Sequence, residues 1–248
     1  SDCNKYDRGH VLVIGGKMSG ASRIVALVSR KIGCGLSTIG VSKNYLKYYN
    51  GVEVGTIVQE ITEDLLKKKD VLVLGPGLGK NFDKKEIIFF LEAFKGPIVI
   101  DADAISIFKD ERKLFYQIIK KKKNIVLTPH KGEFNRLFNE SEESKLQNCI
   151  KASRLINNSI VYKGNDTVVC FKGENLWINH NATERLATAG TGDILCGLIS
   201  GLIAQKMNFR KAILAGVYIL GELSQIKKNL IAEDFISSVS KILLKLKK

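Results

Sequence analysis

The chain has 248 residues, of which 45% are hydrophobic, enough for one α/β domain over 1–248 with a sizeable core. Charge or glycine breaks every apolar run before a membrane span is reached, and the start, Ser1 to Arg8, has no signal-peptide core. Its 5 cysteines form no C-x-x-C pair, which excludes a zinc ribbon and points to reduced thiols in the cytoplasm; the net charge of +14 raises the question of a polyanionic partner.

The first strand-like run, Val11 to Ile14, enters Gly15-Gly16 and a helical stretch over 19–32. Val71 to Leu74 enters Gly75-Pro76-Gly77-Leu78-Gly79, followed by a helix over 83–95. Ile98 to Ile100 enters Asp101-Ala102-Asp103-Ala104 and a helix over 104–121. Ile125 to Leu127 enters Thr128-Pro129-His130, and 131–157 reads as two helices. Ile160 to Tyr162 enters Lys163-Gly164, and Val168–Phe171 with Leu176–Ile178 reads as an antiparallel hairpin at a sheet edge. Helices over 190–205, 209–226 and 232–247 close the chain. Continuous β-branched runs alternating with helices predict a mostly parallel sheet covered on both faces, with that hairpin at its edge.

The lysine runs 67–69 and 120–123 fall where helices should end, a position the helix dipole favours, and no aromatics interleave to stack on bases. Neither nucleic acid nor a membrane is therefore expected as a partner. The basic amphipathic tail Lys241–Lys248 is expected to pack on the domain.

In open α/β sheets ligands bind beyond the carboxyl ends of the strands, and five such ends here carry small or reactive residues. Ala189-Gly190-Thr191-Gly192-Asp193, before an apolar run, is the most informative segment. Its glycines bare N–H groups at a helix start, where phosphate is favoured, with one carboxylate in the first turn. A glycine-rich helix cap with an acid complementing the dipole is the alternative. Gly75–Gly79 reads as a rigid binding loop or an unusually glycine-rich turn. His130 to Glu133 reads as a helix cap, or as a substrate contact (His130) with an acid near a divalent ion (Glu133). One of Asp101 and Asp103 is expected to cap the following helix while the other faces the cleft.

Taken in order, these strings resemble the ADP- or ATP-dependent NAD(P)H-hydrate dehydratases of the ribokinase-like superfamily. The matching segments are Gly9–Gly16, Gly20-Ala21, Gly75–Gly79, Asp101–Ala104, Thr128–Glu133, Lys163-Gly164 and Leu186–Asp193. The layout is similar to that of the stand-alone dehydratases. Asn181-Ala182-Thr183-Glu184-Arg185 departs from the T-G-N-P-G-like turn usual in the family.

The resemblance implies a ribokinase-like α/β fold and repair of hydrated NADH or NADPH coupled to hydrolysis of ADP, or less expectedly ATP, with Mg²⁺ on the nucleotide phosphates. It makes Asp193 the general base. Ala21, Gly77, His130 and Asp193 would line the dinucleotide site. Lys163, Gly164, Asn165, Asp166, Thr167, Gly190, Thr191 and Gly192 would hold the nucleotide, with Glu133 an outer-sphere partner of the metal. A homo-oligomer is expected. The alternatives are a kinase of the same superfamily acting on a vitamin-like alcohol, or a catalytically silent nucleotide- or nucleic-acid-binding protein.

Overall fold

The apolar runs become strands buried on both faces, because side chains alternate across a strand and both sets here are apolar. In the computed structural model, which describes residues 4–246, these strands are β1 (His10–Ile14), β2 (Leu36–Val41), β3 (Ile57–Glu60), β4 (Val71–Leu74), β5 (Ile98–Ile100), β6 (Ile125–Leu127), β7 (Ser159–Tyr162), β8 (Thr167–Phe171) and β9 (Asn175–Asn179). They form one sheet in the order β3-β2-β1-β4-β5-β6-β7-β8-β9. From β3 to β7 every neighbouring pair is parallel, and β8 and β9 complete an antiparallel edge.

The alternation sorts the core by shape. Val11, Val13, Val71, Val73, Val99 and Val126 face one side of the sheet. Leu12, Leu72, Leu74, Ile98, Ile100 and Leu127 face the other. On the valine side lie α1 (Ser19–Lys31), α7 (Thr191–Ala204), α8 (Phe209–Ser224) and α9 (Ala232–Leu246); on the other lie α2 (Lys84–Ala93), α3 (Asp103–Ser106), α4 (Arg112–Lys120), α5 (Lys131–Phe138) and α6 (Lys145–Ile156). Every residue of α7 from Ile194 to Ala204 is buried. That depth requires close helix packing against α1: a Cβ on Gly197 would sit 2.7 Å from Val28, and one on Gly201 2.7 Å from the Ser29 carbonyl. Among the described residues no helix is long and apolar enough to cross a membrane.

The structure corrects the sequence reading in several places. β2 and β3 were not expected. β2 carries Ser37, Thr38 and Gly40 inside its run, and buries Thr38 by bonding its hydroxyl to Nε2 of His10 at 2.7 Å. β3 is a largely exposed edge strand and shows no alternation. The helix expected over 104–121 is two helices, α3 and α4. Phe108 and Phe115 pack with ring centroids 4.7 Å apart, whereas residues seven apart in a straight helix lie about 10 Å apart along its axis. The break therefore lets both rings enter the core. The tail packs as α9 through Phe235, Val239 and Ile242, while Leu244 stays exposed; Lys247 and Lys248 lie outside the described residues.

Candidate active site

Strand order reverses about β1, whose neighbours are β2 and β4, so the topological switch point lies between the ends of β1 and β4. The two glycine loops leave the sheet there and interlock. Lys17 N–H donates to the Leu78 carbonyl at 3.3 Å and Met18 N–H to that of Gly77 at 3.1 Å. A Cβ on Gly16 would lie 2.2 Å from the Leu78 oxygen, and one on Gly77 2.2 Å from the Met18 oxygen and 3.2 Å from Ala21 Cβ. Gly77 also holds φ at +76°, in the left-handed region that glycine enters freely. Ala21 and Gly77 are thus brought into contact. The loop's Gly79 N–H donates to Oδ2 of Asp103 at 2.8 Å. Asp103 fastens the loop; it does not cap α3, whose N-cap is Ala102.

Asp101, buried at the end of β5, points the other way. Lys163 Nζ, past the end of β7, donates to its Oδ1 at 2.8 Å and lies 3.8 Å from Oε2 of Glu133. Cys196 Sγ of α7 lies 3.5 Å from Oδ2 of Asp101. Burial alone lowers the Lys163 pKa, but Asp101 and then Glu133 outweigh it and hold the ammonium protonated. A Cβ on Gly192 would stand 3.3 Å from this ammonium, so a small residue lets the cation approach the start of α7.

Asp193 lies in the first turn of α7 and is partly exposed. Its pKa is raised to about 7, first by burial and then by Asp101 and Asp103, against the opposing pull of Lys163. Two of these influences are carboxylates that the fold brings from the end of β5 and the start of α3.

His130 and Glu133 form a capping box on α5. His130 Nδ1 accepts from Gly132 N–H at 3.0 Å and from Glu133 N–H at 3.3 Å, while Oε2 of Glu133 accepts from His130 N–H at 2.9 Å. Burial, then Lys163, lowers the His130 pKa. With Nδ1 accepting, the neutral ring carries its proton on Nε2, which lies 3.3 Å from Oε1 of Glu133. The exposed His130 edge faces solvent, whereas the Glu133 carboxylate is buried and committed to the cap.

Beside the start of α7 opens a cavity of about 240 Å³. Lys163, Gly164, Asn165, Thr167, Thr191 and Gly192 line one part of it. Asn179, Ala182, Thr183, Glu184, Leu186, Ala187, Leu195, Val217, Leu220 and Gly221 line the rest. Asp166 and Gly190 are not among the lining residues. Asp166 accepts from Lys145 Nζ at 3.2 Å. Gly190, at φ +91°, lets the chain turn into α7, where a Cβ would meet Ala232 at 2.8 Å. The structure thus gathers Ala21 with Gly77 at the switch point and Lys163, Asp101, Glu133 and His130 along the strand ends. Asp193 lies within electrostatic reach of Asp101, Asp103 and Lys163.

Sequence reasoning marked 181–185 only as a departure from the family pattern and missed the wall that α8 builds with 179–184, because only the fold brings that segment to α8. Thr183 N–H donates to Ser224 Oγ at 3.0 Å, and Thr183 Oγ1 to the Ser224 carbonyl at 3.0 Å. Side-chain hydrogen bonds thus hold this segment against α8. Polar residues clustered at 179–184 were the available signal.

The sheet order, with α7 buried against it, is the ribokinase-like α/β fold. The chain belongs to the NAD(P)H-hydrate dehydratase family, whose profile matches residues 11–243. It is 30% identical over 229 residues to the bifunctional NAD(P)H-hydrate repair enzyme Nnr of Coxiella burnetii, covering 88% of this chain and 46% of that one. It is 28% identical over 237 residues to the ADP-dependent (S)-NAD(P)H-hydrate dehydratase of Neisseria meningitidis serogroup B, covering 92% and 80%. The chain thus spans about half the length of the bifunctional relative. The crystal structure of the ADP/ATP-dependent NAD(P)H-hydrate dehydratase from Bacillus subtilis, co-crystallized with ATP/Mg²⁺, has the same fold. It superposes with a TM-score of 0.82 at 24% identity, covering 99% of this chain and 92% of that one.

Proposed function

We propose that this chain dehydrates hydrated NADH or NADPH back to the reduced dinucleotide, at the expense of ADP or, less readily, ATP. The observation that carries this reading is Asp193: a partly exposed carboxylate with its pKa at about 7, in the first turn of a helix whose start lines a cavity beside Lys163. The hydrate hydroxyl is a poor leaving group. Asp193 takes its proton as the oxygen attacks the terminal phosphoryl group of the nucleotide, forming an O–P bond while the phosphoanhydride bond breaks and AMP (or ADP) departs. The ring nitrogen's electron pair then expels phosphate from the ring carbon, and loss of the neighbouring proton restores the ring double bond. The amides of Thr191 and Gly192, with Lys163, stabilise charge on the transferring phosphoryl group. In this reading Lys163, Gly164, Asn165 and Thr167 hold the nucleotide, and Ala21, Gly77, His130 and Asp193 line the dinucleotide cleft.

Mg²⁺ fits these residues. Among the described residues no group of three His, Cys, Asp or Glu makes a closed metal cage. Mg²⁺ is commonly held through substrate phosphates and water with one or two carboxylates. Glu133, committed to its cap, would act on the ion only through water. Bound there, the ion would neutralise phosphate charge.

A homo-oligomer in the cytoplasm completes the proposal. Free, buried Cys34, Cys149, Cys170 and Cys196 support a reducing compartment, and exposed Trp177 and Ile178 on the edge strand β9 support self-association. Nucleic acid has no part in it: Lys122 of the second lysine run donates to the Glu92 and Phe94 carbonyls at 2.8 Å, at the end of α2. The test supplies hydrated NADH, Mg²⁺ and either nucleotide. Recovery of reduced-nicotinamide absorbance with release of inorganic phosphate is expected. No recovery with either nucleotide overturns the reading, and a stable phosphorylated product instead identifies a small-molecule kinase.

A further inference from the structure

Asn179, the last residue of β9, lines the cavity, and its amide is not free to turn. The constraint begins on α8. The Tyr218 carbonyl and Oε1 of Glu222 lie 3.1 and 3.3 Å from the Asn181 amide nitrogen. Neither oxygen has a proton to give, because Glu222 is itself paired with Lys245 at 2.9 Å. Only Nδ2 of Asn181 satisfies them, so its Oδ1 faces the other way. There, at 2.7 Å, it accepts from Nδ2 of Asn179. Turning Asn179 over would set two amide oxygens against each other. A further bond, from Gln225 Nε2 to the Asn181 carbonyl at 2.6 Å, holds the Asn181 backbone against α8.

The relay gives Asn179 a fixed polarity: Oδ1 as acceptor and the second Nδ2 proton as donor. Leu186, Leu195, Val217 and Leu220 supply apolar walls for a planar ring in the same cavity. An asparagine amide in this sense complements an adenine edge, which pairs an exocyclic amino donor with a ring-nitrogen acceptor. Hypoxanthine offers the reverse order, a carbonyl acceptor beside a ring N–H, and fits only an amide turned over.

We infer that Asn179, locked by Asn181 and through it by Tyr218 and Glu222, is the residue that selects adenine over 6-oxopurine nucleotides. This rests on the reading of the cavity as the nucleotide site.

The test is the affinity of ADP and of inosine diphosphate, by titration calorimetry, for the full chain and two variants, with thermal melting to confirm that each is folded. The unaltered protein is expected to prefer ADP by about tenfold or more. Asn181→Ala frees Asn179 to turn, and the preference falls towards unity, chiefly through tighter inosine diphosphate binding. Asn179→Leu weakens ADP about tenfold and leaves inosine diphosphate nearly unchanged, and it decides the matter if Asn181→Ala does not fold. Equal affinity for the two nucleotides in the unaltered protein, or an undiminished preference in folded Asn179→Leu, overturns the assignment while the cavity remains a nucleotide site. Binding of neither nucleotide to the unaltered protein overturns both the assignment and the site.

Discussion

The ammonium of Lys163 meets the carboxylate of Asp101 at 2.8 Å across the ends of two strands that are not neighbours in the sheet, β7 and β5, with β6 between them. Both side chains are largely withdrawn from water, at 19% and 3% exposure. Removing one partner of such a pair leaves an uncompensated charge, at a cost of about 3–5 kcal/mol. Lys163→Met is expected to lower stability on that scale in urea unfolding, and adding Asp101→Asn to recover a substantial part. Equal stability of Lys163→Met and the unaltered protein would show that the pair contributes nothing to the fold.

In the proposed reaction, replacing Asp193 by Asn removes the base while keeping the side chain's shape. Dehydration is expected to fall by about 10²–10⁴-fold, with nucleotide affinity retained. Recovery of reduced-nicotinamide absorbance and calorimetric nucleotide titration measure the two separately. Full activity in Asp193→Asn rejects the assignment.

A base with a pKa of about 7 must lose its proton to work. The rate constant kcat/KM is therefore expected to fall about tenfold per pH unit below 7 and to level off above it. Asp101→Asn removes a neighbouring negative charge that raises this pKa and releases Lys163, which lowers it. The acidic limb should then move to lower pH. A limb that stays in place after Asp101→Asn would separate the titration from Asp193.

The same shift has a cost in stability. The Asp193 carboxyl titrates at about 7 when folded and near about 4 when unfolded. Between those values the folded state holds the extra proton, so this contribution is complete below about pH 4 and is lost as pH rises through 7. Asp193→Asn, which needs no proton to be neutral, should melt at a higher temperature than the unaltered protein at pH 8, with the gap closing towards pH 4. Denaturation scans across that range check the sign.

Gly77 and Gly51 share nearly the same backbone, at φ +76° and +74°, but only Gly77 is crowded, by the Met18 oxygen at 2.2 Å. Alanine at Gly51 should bring the backbone strain alone, on the order of 1 kcal/mol. Alanine at Gly77 should cost more and also raise KM for the dinucleotide, since the clash pushes the two glycine loops apart at the switch point. Chemical denaturation and steady-state kinetics on both variants separate strain from clash.

Much of this was legible before any fold. The valine, leucine and isoleucine runs marked β1 and β4 to β7, and the glycine strings marked where strands end, because both signals are local. β2 was hidden by Thr38, which is buried only because His10 on the adjacent strand bonds it. β3 was hidden by exposure. The break between α3 and α4 was hidden because the Phe108–Phe115 contact depends on a space that other elements create.

The chain's own order of residues determined that Asp193 follows a run of bare amides at a helix start, since that arrangement lies within five consecutive residues. It also determined the alternation that buries the sheet on both faces. Only the tertiary structure decided the chemistry of that acid. Asp101, Asp103 and Lys163 reach Asp193 from positions 92, 90 and 30 residues distant in the chain, and a carboxylate's affinity for its proton depends on burial and on charges in space, which sequence distance does not encode.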